Sequence, residues 1–234
     1  FGITTLEHAT GIAEALSKNQ KFEDAPPFQT ISHRSWIYAD KSKYDSLINF
    51  FIKKNVYITA NLTLYKIFIS NPEEIANNSH LRFMPEQYKK RWKHHLSGHF
   101  QKVIRQKESW IITKKRLEEF LIRFKNKGGK VLAGTDAPYP YLIPGFSLHR
   151  ELELLIQSGF TPMEALQTAT KYPAEALHQE NNLGTIEEGK TANLILLDAN
   201  PLEDIRNTEK INIVIKEGII IDREKLKRSL LGKS

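Results

Sequence analysis

Two residues of this chain combine ligand chemistry with a position at the end of a strand-like run. His8 follows residues 2–7, and Asp136 follows residues 129–135, which read Gly-Lys-Val-Leu-Ala-Gly-Thr. A buried strand that carries a polar residue at its carboxyl end is how α/β barrels present catalytic groups. Imidazole and carboxylate are both good ligands for divalent metals. The pair therefore predicts a metal-dependent hydrolase site whose other ligands lie elsewhere.

The composition limits which other chemistries need to be considered. With 0 Cys the chain has no thiolate ligand or nucleophile, so His, Asp and Glu are its metal-binding residues. The net charge of +7 comes from Lys and Arg residues that alternate with acids at helical spacing. This pattern is typical of solvated helix faces, and we expect no nucleic-acid partner. No apolar run approaches membrane-spanning length, so we expect no membrane segment in this part.

The segments around His8 and Asp136 predict alternating helices and strands. Apolar residues recur at helical spacing in some segments, whereas others are rich in β-branched and aromatic residues. Thr161 and Glu164 form a capping pair around Pro162, which predicts a helix start. The alternation favours a parallel sheet or barrel covered by helices. The predicted order is an irregular stretch to residue 40, helix 44–54, strand 56–64, helical segments within 71–107, helix 117–128, strand 129–136, helix 148–156, a helix from Thr161, and helix 172–178.

The chain changes character after residue 183. Residues 193–198 read as a short apolar strand, and residues 211–215 and 219–221 read as a hairpin. Three strands are too few to bury both faces of a sheet, so this unit must pack against other strands or helices. We predict two units, residues 1–182 and residues 183–234, with a terminal helix in the second.

Four motifs, in this order, resemble the C-terminal half of the amidohydrolase superfamily. They are Leu6-Glu7-His8, Gly134-Thr135-Asp136, residues 159–166 (Gly-Phe-Thr-Pro-Met-Glu-Ala-Leu) and residues 184–194 (Gly-Thr-Ile-Glu-Glu-Gly-Lys-Thr-Ala-Asn-Leu). The nearest branch is the imidazolonepropionase-like and prolidase-like one. The resemblance implies an α/β chain that supplies strands six to eight of a metal-dependent (β/α)8 TIM barrel, together with part of a small β-sandwich.

The resemblance also implies roles for particular residues. His8 would end the sixth barrel strand and would either ligate a divalent metal, in a two-metal site, or hold the water or substrate carbonyl, in a one-metal site. Asp136 would end the eighth strand and act as both ligand and catalytic base. We expect zinc, as one or two ions. The family's His-x-His motif and its ligands on the fourth and fifth strands have no counterpart here, so we expect them upstream of Phe1. The expected reaction is hydrolysis of an amide or cyclic amide C–N bond in a small molecule.

Several further residues are weaker candidates. His149 and Tyr65 are predicted to contact substrate, His149 from a helix start and Tyr65 from the end of a strand. His33 and the pair His95 and His99 are interpreted as surface histidines. The sequence leaves homo-oligomerisation open.

A second hypothesis differs in class: the chain could be a truncated, non-catalytic relative that acts as a binding or vestigial domain. It rests on the missing first-strand and fifth-strand ligands, because two ligands rarely make a tight site. Three barrel strands also cannot close a barrel, so we expect the isolated chain to expose sheet edges and to associate or partly unfold.

Overall fold

A small parallel sheet organises the first part of the chain. The computed structural model describes residues 2–17, 35–98, 100 and 105–231. Strands β1 (Thr5–Glu7), β2 (Tyr57–Thr59) and β3 (Val131–Leu132) form one parallel sheet in that order. Within the described residues this sheet has three strands and does not close into a barrel. Because the strands are parallel, their carboxyl ends share one edge of the sheet.

Helices connect and cover these strands, as the alternating pattern predicts. Helix α2 begins at Tyr44 and buries Tyr44, Ile48 and Phe51, which lie on one face at helical spacing. The helices of this part are α1 (Ile12–Leu16), α2 (Tyr44–Lys53), α3 (Leu62–Ile69), α4 (Pro72–Ala76), α5 (Glu86–Ser97), α6 (Lys107–Asn126), α7 (Phe146–Gln157), α8 (Pro162–Ala169) and α9 (Lys171–Ala176), with 3-10 turns at Lys41–Lys43 and Ser79–Phe83.

The longest helix, α6, supplies the centre of the core. Its residues Leu117, Phe120, Leu121 and Phe124 are all fully buried at the predicted i, i+3, i+4, i+7 spacing. The Phe120 ring packs edge-on against two aromatic rings, at centroid distances of 5.8 Å to Trp36, which precedes α2, and 5.2 Å to Tyr44, the first residue of α2. Such edge-to-face pairs stabilise a core beyond the burial of their area.

Two sequence predictions about the ends of elements are wrong. The strand predicted over residues 56–64 ends at Thr59, and Leu62 already begins α3. The strand predicted over residues 129–136 pairs only at Val131–Leu132. In the first case the strand ends because the backbone of Asn61, within this mostly apolar run, is left-handed at φ 54°.

A third sequence prediction, the irregular stretch to residue 40, is also wrong in part. It contains α1, whose residues Ile12, Ala13 and Leu16 are buried. The segment is too short to show a helical period clearly, and its burial against the rest of the core is what stabilises it.

The second unit is an antiparallel sheet of β4 (Leu194–Leu197), β5 (Ile211–Lys216) and β6 (Ile219–Ile220). A 3-10 turn at Ile205–Glu209 precedes β5, and helix α10 (Arg223–Leu231) follows β6. Large apolar side chains of this sheet, including Ile195, Ile219 and Ile220, are exposed. The predicted strand and hairpin are therefore present, whereas the boundary between two units at residue 183 stays a prediction. No described helix is long and apolar enough to cross a bilayer.

Candidate metal and active site

His8 and Asp136 meet at the carboxyl edge of the parallel sheet. His8 directly follows β1, Asp136 lies four residues beyond β3, and His8 Nε2 is 3.8 Å from Asp136 Oδ1. Both residues have left-handed backbones, with φ of 58° and 59°, which turn the chain sharply at the strand ends. Their side chains are 33% and 39% exposed, so the pair is open to small molecules from solvent.

The separation of these two atoms fits a shared divalent ion. Zinc lies about 2.0–2.2 Å from nitrogen and oxygen ligands, so two ligands of one ion are about 3.3–3.6 Å apart at the tetrahedral angle and at most about 4.4 Å apart. The 3.8 Å between Nε2 and Oδ1 lies within that limit. Among the described residues no group of three or more His, Asp or Glu side chains is arranged to hold an ion. His8 and Asp136 are thus two side chains of the kind that a zinc centre, which typically has four ligands, uses.

His8 is held in place by the segment that follows β2. Its Nδ1 lies 2.8 Å from Asn61 Nδ2, and its backbone carbonyl accepts a hydrogen bond of 3.1 Å from the Tyr65 hydroxyl. Tyr65 is buried, and this burial raises the pKa of its hydroxyl, which therefore stays a neutral donor. Tyr65 lies in α3 rather than at a strand end. Its predicted contact with substrate stays a prediction.

A buried carboxylate fixes the start of α3. Glu151, on α7, accepts hydrogen bonds from the backbone N–H of Leu62 at 2.8 Å and of Thr63 at 2.7 Å. These first-turn N–H groups have no partner within their own helix, so the carboxylate satisfies them and complements the helix dipole. Burial raises the pKa of Glu151 to about 7, although the two N–H groups oppose the shift.

We expect Glu151 to make the protein less stable as the pH rises from about 5 to 7. In this window the folded state holds the Glu151 proton, because its pKa is about 7, while the unfolded state has released it at its ordinary value of 4.5. The free energy of unfolding should fall by roughly 3 kcal/mol across the window. Urea unfolding at several pH values measures this slope.

The matched comparison for this prediction is Glu151→Gln against Glu188→Gln. Glu188 is exposed, so its replacement should leave the pH slope unchanged. Glu151→Gln should remove the part of the fall in the free energy of unfolding that is due to Glu151, since an amide does not titrate. An unchanged slope in Glu151→Gln would show that this carboxylate is not the source.

Gly134 lets the end of β3 pass directly against the end of β2. A Cβ on Gly134 would lie 2.2 Å from both Asn61 Oδ1 and Thr59 Cγ2. The Thr59 hydroxyl in turn donates to Glu7 Oε1 at 3.1 Å. At the ends of β2 and β3, the side chains of Thr59 and Asn61 therefore lie directly against the backbone of Gly134. The side chain of Asn61 has no room to move toward β3.

Gly134→Ala is expected to destabilise the fold by about 1–3 kcal/mol, as overpacking of a close contact does. The new methyl group must displace Thr59 or Asn61, and the latter displacement would loosen His8. The melting temperature measures the effect. Gly2→Ala is the matched control, because a Cβ there meets nothing within 4 Å. Equal melting of both variants would contradict the packing described here.

Of the other histidines considered in the sequence, His149 has a partner outside this pair, and His33 and His99 lie outside the described residues. His149 lies on α7, and its Nδ1 is 2.9 Å from the Thr208 hydroxyl of the 3-10 turn before β5. Burial lowers the pKa of His149. Its predicted role in substrate binding stays a prediction.

The sequence interpretation missed Asn61 and Glu151. Glu151 carries a signal in hindsight, because it stands within the apolar stripe formed by Leu148, Leu152 and Leu155. An acid in such a stripe indicates a buried carboxylate that needs donors. For Asn61 the signal is weaker: an asparagine before Leu62 and Thr63 is typical of a helix start or a left-handed turn.

Comparison with known proteins identifies the family to which the chain belongs. The amidohydrolase family model matches residues 42–221. That match covers most of the chain, and the protein belongs to the amidohydrolase family. The family and the relatives described next are hydrolases that act on carbon–nitrogen bonds.

Similar proteins match over only part of their own length. Ochratoxinase from Aspergillus niger is 34% identical over 105 residues, which are 43% of this chain and 21% of that protein. Adenine deaminase from Clostridium botulinum is 29% identical over 90 residues, 37% of this chain and 15% of that protein. The solved structure of a Xaa-Pro dipeptidase with bound methionine has a TM-score of 0.57 at 22% identity and covers 94% of this chain and 40% of its own. The chain thus spans less than half the length of these proteins.

Proposed function

We propose that the chain forms the C-terminal part of a metal-dependent amidohydrolase that hydrolyses an amide or cyclic amide bond in a small molecule. The observation that carries the proposal is the convergence of His8 and Asp136 at the carboxyl edge of a parallel sheet, in a member of the amidohydrolase family. Superfamily members typically use divalent metals. We place the chain in the imidazolonepropionase-like and prolidase-like branch because of its four sequence motifs.

His8 and Asp136 would together hold a metal ion, and Asp136 would also transfer a proton. His8 Nε2 and Asp136 Oδ1 face each other and would hold the ion between them. Such an ion makes hydroxide available at neutral pH. The second carboxylate oxygen of Asp136 would accept the proton of the attacking water and return it to the departing amine. Exposure of both side chains leaves room for a small substrate above the sheet edge.

The remaining ligands belong to the proposal as well. A zinc site that performs hydrolysis has three protein ligands and an open position. We propose that the His-x-His motif of the first barrel strand and the ligands of the fourth and fifth strands lie in a preceding part of the protein. An in-frame His-x-His codon pattern upstream would support this arrangement, whereas its absence would favour the non-catalytic relative.

Metal removal from the full-length protein tests the proposed function. We expect hydrolysis of at least one member of a panel of N-acyl amino acids, Xaa-Pro dipeptides and cyclic amides. Dialysis against a chelator should abolish this hydrolysis, and added Zn²⁺ should restore it. Hydrolysis that survives complete metal removal would overturn the metal-dependent mechanism. A full-length protein that binds no divalent metal would overturn the catalytic proposal.

A further inference from the structure

His8 lies in a turn that its own residue types do not favour. The Thr10 N–H donates to the Glu7 carbonyl at 3.0 Å and closes the turn. The two central residues, His8 and Ala9, both have left-handed backbones, with φ of 58° and 51°. Glycine, asparagine and aspartate dominate such turns, because a Cβ atom disfavours the left-handed region. Contacts with other parts of the fold must therefore hold the turn that carries the imidazole.

The Tyr65 hydroxyl supplies such a contact. It donates a hydrogen bond of 3.1 Å to the backbone carbonyl of His8. Tyr65 is itself fixed, because it is 4% exposed and its ring packs edge-on against Trp110 at a centroid distance of 6.1 Å. A donor that is packed in this way holds the carbonyl at one position. The hydroxyl is thus engaged within the protein.

The position of the His8 ring depends on this turn. Asn61 contacts the ring at Nδ1, whereas Tyr65 bonds the backbone from which the ring extends. A change of φ at His8 redirects its Cα–Cβ bond and moves Nε2 away from Asp136. Metal–ligand distances in a working site match their ideal values to about 0.2 Å, so a ligand tolerates little displacement. The 3.8 Å between Nε2 and Asp136 Oδ1 therefore requires that the turn be held.

We propose that Tyr65 is a positioning residue whose hydroxyl holds the left-handed turn at His8 and so keeps Nε2 where it can ligate a metal ion beside Asp136. The inference rests on the proposed function for the identity of the ligand. Whether Tyr65 holds the turn can be observed without metal or substrate. This role differs from the substrate contact predicted from the sequence, and the two roles have different kinetic consequences.

Tyr65→Phe in the full-length protein removes the donor and keeps the ring that packs against Trp110. We expect Zn²⁺ affinity, measured by competition with a chromophoric chelator, to fall about tenfold, as for other groups that orient a metal ligand. At saturating Zn²⁺ we expect wild-type kcat and KM, because the bound ion then holds His8 in place. Unchanged Zn²⁺ affinity overturns the proposal. Unchanged affinity with a raised KM also assigns Tyr65 to substrate binding.

Tyr44→Phe is the matched control for the loss of a buried tyrosine hydroxyl. Tyr44 is 0% exposed, and its ring packs edge-on against Phe120 at 5.2 Å. Its hydroxyl has no hydrogen-bond partner among the described residues. We expect Tyr44→Phe to leave Zn²⁺ affinity at the wild-type value. Equal losses of affinity in the two variants would show a general loosening of the core and overturn the proposal.

Ala9→Gly tests whether strain in the turn is what Tyr65 offsets. Glycine adopts left-handed backbone readily, so adding Ala9→Gly to Tyr65→Phe should raise Zn²⁺ affinity at least about threefold. The melting temperature should fall further, because the replacement removes the methyl group of a residue that is 1% exposed. A gain of affinity with a loss of stability does not follow from a merely structural role of Tyr65. Failure to regain affinity overturns the proposal.

Crystal structures of the metal-free full-length protein separate this inference from the proposed function. A tenfold loss of affinity means that the binding arrangement is populated to about one tenth before metal binds. We therefore expect His8 to leave its left-handed turn in metal-free Tyr65→Phe and to keep it in the wild type. An unchanged turn in Tyr65→Phe overturns the inference, as does a wild-type structure in which the Tyr65 hydroxyl does not reach the His8 carbonyl. A wild-type protein without Zn²⁺ affinity overturns the proposed function, and these structures still decide whether Tyr65 holds the turn.

Discussion

Asp136→Asn is expected to lower kcat/KM of the full-length protein by about 1,000-fold or more, because general base catalysis alone contributes about 10²–10⁴-fold. The amide is nearly the same size as the carboxylate, so the turn at the end of β3 should persist. It removes the negative charge that faces His8 Nε2 at 3.8 Å and the oxygen that would accept the proton. Both losses act on the chemical step, so kcat should fall rather than KM rise.

A matched carboxylate elsewhere separates this effect from a general loss of charge. Asp45 is exposed at the start of α2, where it forms an ion pair of 3.3 Å with Lys127. Asp45→Asn should therefore keep kcat/KM within about twofold of wild type, because exposed ion pairs contribute little. Comparable melting temperatures for both variants would confirm intact folding. Asp136→Asn with near wild-type kcat would remove Asp136 from the mechanism.

His8→Ala is expected to weaken Zn²⁺ binding by the full-length protein by at least about 100-fold, since it deletes a ligand rather than a group that orients one. Competition with a chromophoric chelator measures the affinity. Alanine also loses the Asn61 contact, but Tyr65 bonds only the backbone of residue 8, so that bond can persist.

His178→Ala is a suitable control for this measurement. His178 is exposed and has nearly the same left-handed backbone as His8, at φ 55° against 58°. It has no proposed role in metal binding, so Zn²⁺ affinity should stay at the wild-type value. Equal losses in both variants would point to a non-specific histidine site and away from His8.

The regular elements of the fold follow from local sequence. Thr161 and Glu164 form the predicted capping box, with the Thr161 N–H donating to the Glu164 carboxylate at 2.8 Å and the Glu164 N–H donating to the Thr161 hydroxyl at 3.3 Å. Helix α2 and the β5–β6 hairpin are also where their periodicity and turn residues predict them. In each case the deciding interactions lie within a few residues along the chain.

The end of β2 could not be predicted in this way. Apart from Asn61, residues 56–64 are apolar, aromatic or β-branched, so their local preference is for a strand. The strand ends early because Glu151, far along the chain, binds the N–H groups of Leu62 and Thr63 and so fixes a helix start. A tertiary contact of this kind overrides the local propensity of the segment.

The same distinction applies to the candidate site. His8 and Asp136 can be identified in the sequence because each follows a strand-like run, and parallel pairing through β2 then brings the strand ends together. The contact of Asn61 with His8 cannot be predicted from its weak local signal, because it depends on the left-handed turn at φ 54° and on the distance between Asn61 and Nδ1 of His8. The proposed ligands are thus local features of the sequence, whereas the residues that contact His8 are brought to it only by the fold.

A crystal structure of the full-length protein grown with Zn²⁺, with anomalous scattering recorded at the zinc edge, tests the central claim most directly. We predict an anomalous peak about 2.0–2.2 Å from His8 Nε2 and from an Asp136 carboxylate oxygen, with the remaining ligands from preceding barrel strands. A peak bound elsewhere, with His8 and Asp136 still paired only to each other, would contradict the account.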